Sequence, residues 1–278
     1  MGLRDLAELV RAPAALSVPG DVVAGAAAAG ALRRSTAGLA AASVLLYWAG
    51  MAANDWADRE LDARERPRRP IPSGRVKPRH AVLTAAGLTA AGVGVAALAG
   101  GRRAVAVAAP LAGAVWAYDL WAKNTAAGPA VMAVCRGLDV LLGASGGPVR
   151  RAVPPALTVA AHTYTVTALS RHEVSGTTAA VPLSTLAGTV GVAATTSRFS
   201  VAAAALSAWY LAGYGRAQLT AARSPDAGHI RAAVGAGITE LPQLQGALTA
   251  RAGAPAHGLA VALIAPLARR LARKVSPT

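Results

Sequence analysis

Apolar tracts of about 20 residues follow one another along most of this chain, and its charges fall in the gaps between them. The tracts lie near 13–32, 36–53, 80–99, 103–121, 126–145, 153–169, 178–196 and 199–215, with two further candidates near 229–249 and 254–272. A hydrocarbon core about 30 Å thick takes about 20 helical residues to cross. Backbone groups inside it must be satisfied within the segment, which favours helices. No alternation of polar and apolar residues points to a membrane barrel. The pattern predicts an all-α polytopic membrane helical bundle of nine or ten transmembrane helices, read as one domain over residues 1–278.

Composition supports this. Charged residues make up 15% of the 278, where a soluble domain carries about a quarter. There is one Phe, so the apolar mass is small side chains, which let membrane helices approach closely. Met1–Arg11 is charged but has no cleavable signal pattern, so the tract after it is expected to be the first span. The net charge of +15 does not indicate a nucleic-acid partner, because the basic residues lie between apolar tracts rather than along one face of a soluble fold. Loop topology and contact with anionic membrane lipids explain them better. Cys135 is alone, so no intrachain disulfide is possible, and it reads as a small packed hydrophobe.

Segment 229–249 is the ambiguous span, since it contains Glu240, Pro242, Gln243 and Gln245. With ten spans, the Arg and Lys residues of the connections and ends divide eighteen against eight between the two sides. The positive-inside rule then puts both termini and the 54–79 loop in the cytoplasm. With nine spans the basic tail moves to the outer side and the bias nearly vanishes, so ten is favoured.

The longest polar connection begins as that bias predicts, on the cytoplasmic side. It reads NDWADRELDARERPRRPIPSGRV from Asn54 to Val76. On a helix, Asp55, Asp58 and Asp62 share one face at offsets of three, four and seven. Three like charges on one face repel, unless a cation holds them together. Mg²⁺ prefers oxygen ligands and commonly bridges carboxylates to substrate phosphates. Asp55, Asp58 and Asp62 are therefore the candidate metal ligands, with Asn54 orienting. In the following segment prolines stiffen the backbone and Gly74 allows a turn. The forks of Arg68 and Arg69 suit phosphate oxygens.

This run resembles the first signature of the UbiA superfamily of intramembrane prenyltransferases, an N-D-x-x-D-x-x-x-D segment followed by R-P-(I/L)-P-x-G. Tyr118-Asp119-Leu120-Trp121-Ala122-Lys123 resembles the family's Y-x-x-x-x-K loop, and Gly128-Pro129, Arg136-Gly137-Leu138-Asp139 and Gly143 resemble its fifth-helix pattern. The resemblance implies a bundle around a central cavity that opens to the bilayer, capped by polar motifs on the cytoplasmic side. It further implies Mg²⁺, a polyprenyl diphosphate donor and a small lipophilic acceptor, aromatic in some members. Metal-assisted departure of diphosphate would leave an allylic cation for the acceptor to capture.

The second motif departs from the family pattern. D-x-x-x-D is expected after the sixth span, and the chain has Ser170-Arg171-His172-Glu173-Val174-Ser175-Gly176. This form resembles the EboC-like branch. Three readings stand: Arg171 and His172 contact diphosphate in place of a second metal, Glu173 still ligates a metal, or the fold binds or transports a hydrophobic metabolite without catalysis. Arg171 and Glu173 could also simply pair with each other. Asp55, Asp58, Asp62, Lys123 and Arg171 are the catalytic candidates. Asn54, Arg68, Arg69, Tyr118, Arg136, Asp139, His172 and Glu173 are the substrate-binding ones. Arg136 and Asp139, three apart inside a span, either neutralise each other or face a cavity. His162 reads as a hydrogen-bonded helix contact. No His/Cys constellation, Ser/His/Asp order or P-loop suggests another chemistry.

Overall fold

The computed structural model describes residues 2–197, 200–264 and 266, and among these all regular structure is helical. A short α1 (Leu3–Leu9) and a 3₁₀ segment (Ala12–Ser17) lead into α2 (Val18–Ala28). The acidic stretch lies on α3 (Arg34–Ala57), α4 (Arg59–Glu65) and the loop after them. Next come α5 (Pro78–Leu120), α6 (Gly128–Gly143), α7 (Val153–Ser170) and α8 (Ala180–Thr196). Then α9 (Val201–Tyr210) continues through a π-helical segment, Leu211–Gly215, into α10 (Arg216–Arg223), and the chain goes on to α11 (Ala227–Arg251) and α12 (Pro255–Ala262).

Although continuous in hydrogen bonding, α5 is two helices. Gly101 breaks it at φ 63°, ψ −154°, a conformation open to glycine and costly for other residues. The halves fold back on each other, so that Trp116 Nε1 donates to Thr89 Oγ1 at 3.1 Å. They are the separate tracts expected at 80–99 and 103–121. Only 22% of the most apolar stretch of α5 is buried, and an apolar helix this exposed needs apolar surroundings. By length and composition α3, α5 and the segment Gly128–Gly146 can cross a membrane.

The ambiguous segment 229–249 is one unbroken helix, α11, and every residue from Glu240 to Ala250 is buried. Its polar side chains thus meet other helices rather than lipid. Only the first part of the expected span 254–272 forms α12. Residues 267–272 and the basic tail from Arg269 to Lys274 lie outside the described residues.

Contacts between loops fall at the two ends of the bundle. At one end Arg33 Nη2 donates to the Gly146 carbonyl at 3.2 Å, and Arg251 donates to that of Thr195 at 2.6 Å. Asp58 meets Lys123, Arg171 meets Thr125 and Arg231 meets Glu173 at the other end.

Small residues allow the close crossings. A Cβ at Gly143 would overlap the backbone of Val22 on α2. Gly143→Leu is therefore expected to lower the thermal midpoint of the purified chain in detergent, by about 1–3 kcal/mol of stability or more. Gly87, which faces open space, is the control, and Gly87→Ala should leave the midpoint unchanged or raise it slightly.

Candidate active site

At the end of α3 the helix is interrupted by Asp58 (φ −89°, ψ 3°) and resumes as α4. Helical hydrogen bonds still cross the joint, from the Asp58 amide to the Asn54 carbonyl at 2.9 Å and from the Asp62 amide to the Asp58 carbonyl at 2.8 Å. The joint separates the three aspartates that the spacing placed on one face. Asp55 and Asp62, both buried, accept from a single atom, Nη1 of Arg69, at 3.3 and 2.6 Å. Asp58 turns instead to Lys123, whose Nζ is 2.6 Å from its Oδ1. Two carboxylates converge, and the third faces the turn after α5.

The proline-rich loop delivers Arg69. Gly74 takes φ 77°, the Val76 amide closes on the Pro70 carbonyl at 2.9 Å, and Ile71 and Val76 pack against Leu9, Ala52 and Ala53. Arg75 clasps α1, with Nη1 3.0 Å from Asp5 Oδ1 and 2.7 Å from Glu8 Oε2, and Nη2 2.8 Å from Glu8 Oε1. Beyond α1, Arg11 adopts the left-handed conformation (φ 47°), which costs about 1–2 kcal/mol for a residue with a Cβ. Its Nη2 donates to Asp55 Oδ1 at 2.8 Å. Nothing in the spacing of Arg11 and Arg75 along the sequence indicates these partners.

The remaining candidates assemble around this mouth. Asn54 Nδ2 donates to Asp119 Oδ1 at 3.1 Å. Arg171 does not seek Glu173; its Nη1 donates to the Thr125 carbonyl at 2.5 Å, beside the turn that bears Lys123. Arg231 donates to the Glu173 carbonyl at 2.8 Å. Burial pushes the Glu173 carboxyl up, and the charges of Arg231 and Arg66 oppose that. His172 is half-buried next to it. Arg68 is exposed, and its carbonyl accepts from Arg75 Nη2 at 2.9 Å.

Below the mouth lies a cavity of about 80 Å³. Tyr118 and Asp119 stand at its upper end, Met51, Leu111, Val115 and Met132 along its walls, and Ser43, Arg136 and Asp139 at its floor. Arg136 pairs with Asp21 of α2, Nη2 to Oδ2 2.8 Å, rather than with Asp139 on its own helix. Gln245 Nε2 also donates to Asp21, at 2.6 Å, and Ser43 Oγ donates to Asp139 Oδ1 at 2.5 Å. Asp21 escaped the sequence reading, although a lone carboxylate in an apolar tract was a usable signal. His162 behaves as expected, Nδ1 lying 2.8 Å from Tyr210 Oη.

No three metal-ligating side chains gather at one point among the described residues. Asp55 and Asp62 nevertheless share one cationic nitrogen, and a pair of hard oxygen donors suits Mg²⁺, which also takes phosphate oxygens.

Residues 17–230 match the UbiA prenyltransferase family. The chain belongs to that family. It is similar to the digeranylgeranylglyceryl phosphate synthase of Methanopyrus kandleri, 46% identical over 76 residues, 27% of this chain and 28% of that protein. The synthase of the same name from Natronomonas pharaonis is 42% identical over 93 residues, 33% of this chain and 34% of its own. These matches thus span about a third of the relatives' length or less. A solved structure described as giving structural and mechanistic insights into digeranylgeranylglyceryl phosphate synthase in membranes superposes with a TM-score of 0.67, at 16% identity over 90% of this chain and 98% of that one. The fold is thus the helical membrane bundle of the UbiA family, and both its altered second motif and its acidic first motif lie inside the matched range.

The Arg75 clasp generates a pH dependence. Its hydrogen bond holds the Glu8 carboxyl below the ordinary 4.5, and the Gly2 amide, then Arg75, hold Asp5 below 3.8. A depressed carboxylate stabilises above its unfolded pKa, and that contribution is lost as pH falls through the folded value. Protease cleavage within α1 is expected to rise as pH drops below about 4.5. In Arg75→Ala it should already be high at pH 7.

Proposed function

We propose that this chain is an integral membrane prenyltransferase that moves a prenyl group from a polyprenyl diphosphate to a lipophilic acceptor. It would act as a single unit with its motif loops and N-terminus cytoplasmic. The observation that carries the reading is the meeting of Asp55 and Asp62 on one cation position at the mouth of an apolar cavity, in a chain of this family. Asp55 and Asp62 would hold Mg²⁺, which when bound supplies charge neutralisation for the departing diphosphate. Asp58 orients Lys123 through their ion pair. The ammonium of Lys123 and the guanidinium forks of Arg69 and Arg171 bind diphosphate oxygens. Arg68, His172 and Glu173 border the same mouth. Asn54 and Tyr118 position the allylic end of the donor at the cavity entrance. The allylic C–O bond breaks with its electron pair on diphosphate, the acceptor's nucleophilic atom bonds to the allylic carbon, and the acceptor loses a proton. Apolar walls keep water from the cation.

In this reading Arg171 does with fixed charge what a second acidic motif would do through metal. Its approach to the Lys123 turn supports that role. The altered motif equally suits a descendant that binds or transports a hydrophobic metabolite without turning over a diphosphate.

With radiolabelled polyprenyl diphosphates, Mg²⁺ and a panel of acceptors, the purified chain should release diphosphate. EDTA should abolish release and Mg²⁺ restore it. Asp55→Asn and Asp58→Asn should each reduce the rate by about a hundredfold or more. No release with any donor, together with a deletion phenotype rescued by Asp58→Asn, would establish the transport reading instead. Arg171→Ala is expected to raise KM for the donor by about tenfold, measured under saturating acceptor. An unchanged KM would remove Arg171 from the diphosphate site.

A further inference from the structure

The cavity floor carries more acidity than the reaction at its mouth uses. Asp139 is 4% exposed and lines the cavity. Its Oδ1 accepts from Ser43, and its Oδ2 is buried with no hydrogen-bond partner among the described residues. The nearest guanidinium, Arg136, is committed to Asp21 at 2.8 Å and approaches the Ser17 carbonyl at 3.4 Å. Within this group two carboxylates face one guanidinium, while Ser43 and Gln245 bring dipoles without charge. A buried carboxylate oxygen without a donor is costly. A ligand that supplies a donor there removes the cost, and one that brings an anion or bare hydrocarbon does not.

Depth separates this floor from the chemistry. Ser43 and Asn54 are eleven residues apart on α3, about 16 Å at 1.5 Å per residue. Asp139 is therefore too deep to touch the reacting carbon, and its role is recognition.

We infer that Asp139, held by Ser43, is a binding site for a hydroxyl or amino group at the inner end of the lipophilic acceptor, and that an acceptor with carboxylate or bare hydrocarbon at that position is selected against. This rests on the reading that the cavity holds substrate, but not on whether that substrate reacts.

Four probes with one isoprenoid skeleton test it: geraniol, geranylamine, geranic acid and the hydrocarbon myrcene. Binding would be measured by calorimetry on the full chain in lipid nanodiscs, with empty nanodiscs subtracted. Geraniol and geranylamine should bind about tenfold tighter than myrcene or more, as a hydrogen bond to a charged group gives. Geranic acid should bind no tighter than myrcene. Asp139→Leu should bring the alcohol and amine to the hydrocarbon's affinity, while Ser43→Ala should keep the preference. Equal affinity for all four, no binding of any, or a preference that survives Asp139→Leu would overturn the assignment. If Asp139→Leu does not fold, the wild-type ranking decides. Mg²⁺-dependent binding of farnesyl diphosphate, measured in parallel, tests the prenyltransferase reading separately. Its loss with the ranking intact counts against that reading alone, and its presence with no ranking counts against this site alone.

Discussion

One guanidinium nitrogen, Nη1 of Arg69, stands between two buried carboxylates, and the mouth of the protein is organised around it. Removing Asp55 and Asp62 from water is costly unless an opposite charge comes with them. The chain supplies that charge through the rigid loop after α4 and through a strained backbone at Arg11. Lys123 does the same for Asp58 from the turn after α5. Each aspartate of the acidic motif thus meets a cation of the protein, and these cations come from three different segments. An arrangement that holds positive charge against carboxylates also holds it where an anionic diphosphate would sit. This links the stability of the mouth to its proposed use.

Away from the mouth the bundle depends on close approach. Gly25 and Gly143 let α2 and α6 touch through backbone atoms, which compensates for the lack of a hydrophobic drive between helices in lipid. The polar side chains of the interior are tolerated because other helices surround them. Gln245 on α11 reaches Asp21, which in turn holds Arg136. An apolar count along α11 mixed up two different surroundings, lipid and protein, and for that reason the segment looked ambiguous as a span.

The helical class, the separation of the 80–99 and 103–121 tracts and the place of Asn54 through Arg69 at the end of an apolar tract were legible from residue order. Apolar tracts and the charged gaps between them are contiguous runs of residues, so the sequence displays them directly. The pairing of charges was not legible in the same way. Spacing put Arg136 beside Asp139 and Arg171 beside Glu173, yet Arg136 turned to Asp21 and Arg171 to Thr125. Spacing also put Asp58 with Asp55 and Asp62, but the joint at Asp58 sent it to Lys123.

By itself the sequence determined an α-helical membrane protein of the UbiA kind, with its carboxylates gathered after the second apolar tract and a second motif short of acid. The tertiary structure decided which cation each carboxylate meets, that Asp55 and Asp62 share one guanidinium nitrogen while Asp58 meets Lys123, and that a donor-hungry carboxylate lies at the cavity floor. The physical reason is range. Helix formation and membrane partition are summed along contiguous residues, whereas a buried charge takes whichever partner the helix crossings bring within about 3 Å, and those crossings join residues far apart in the chain.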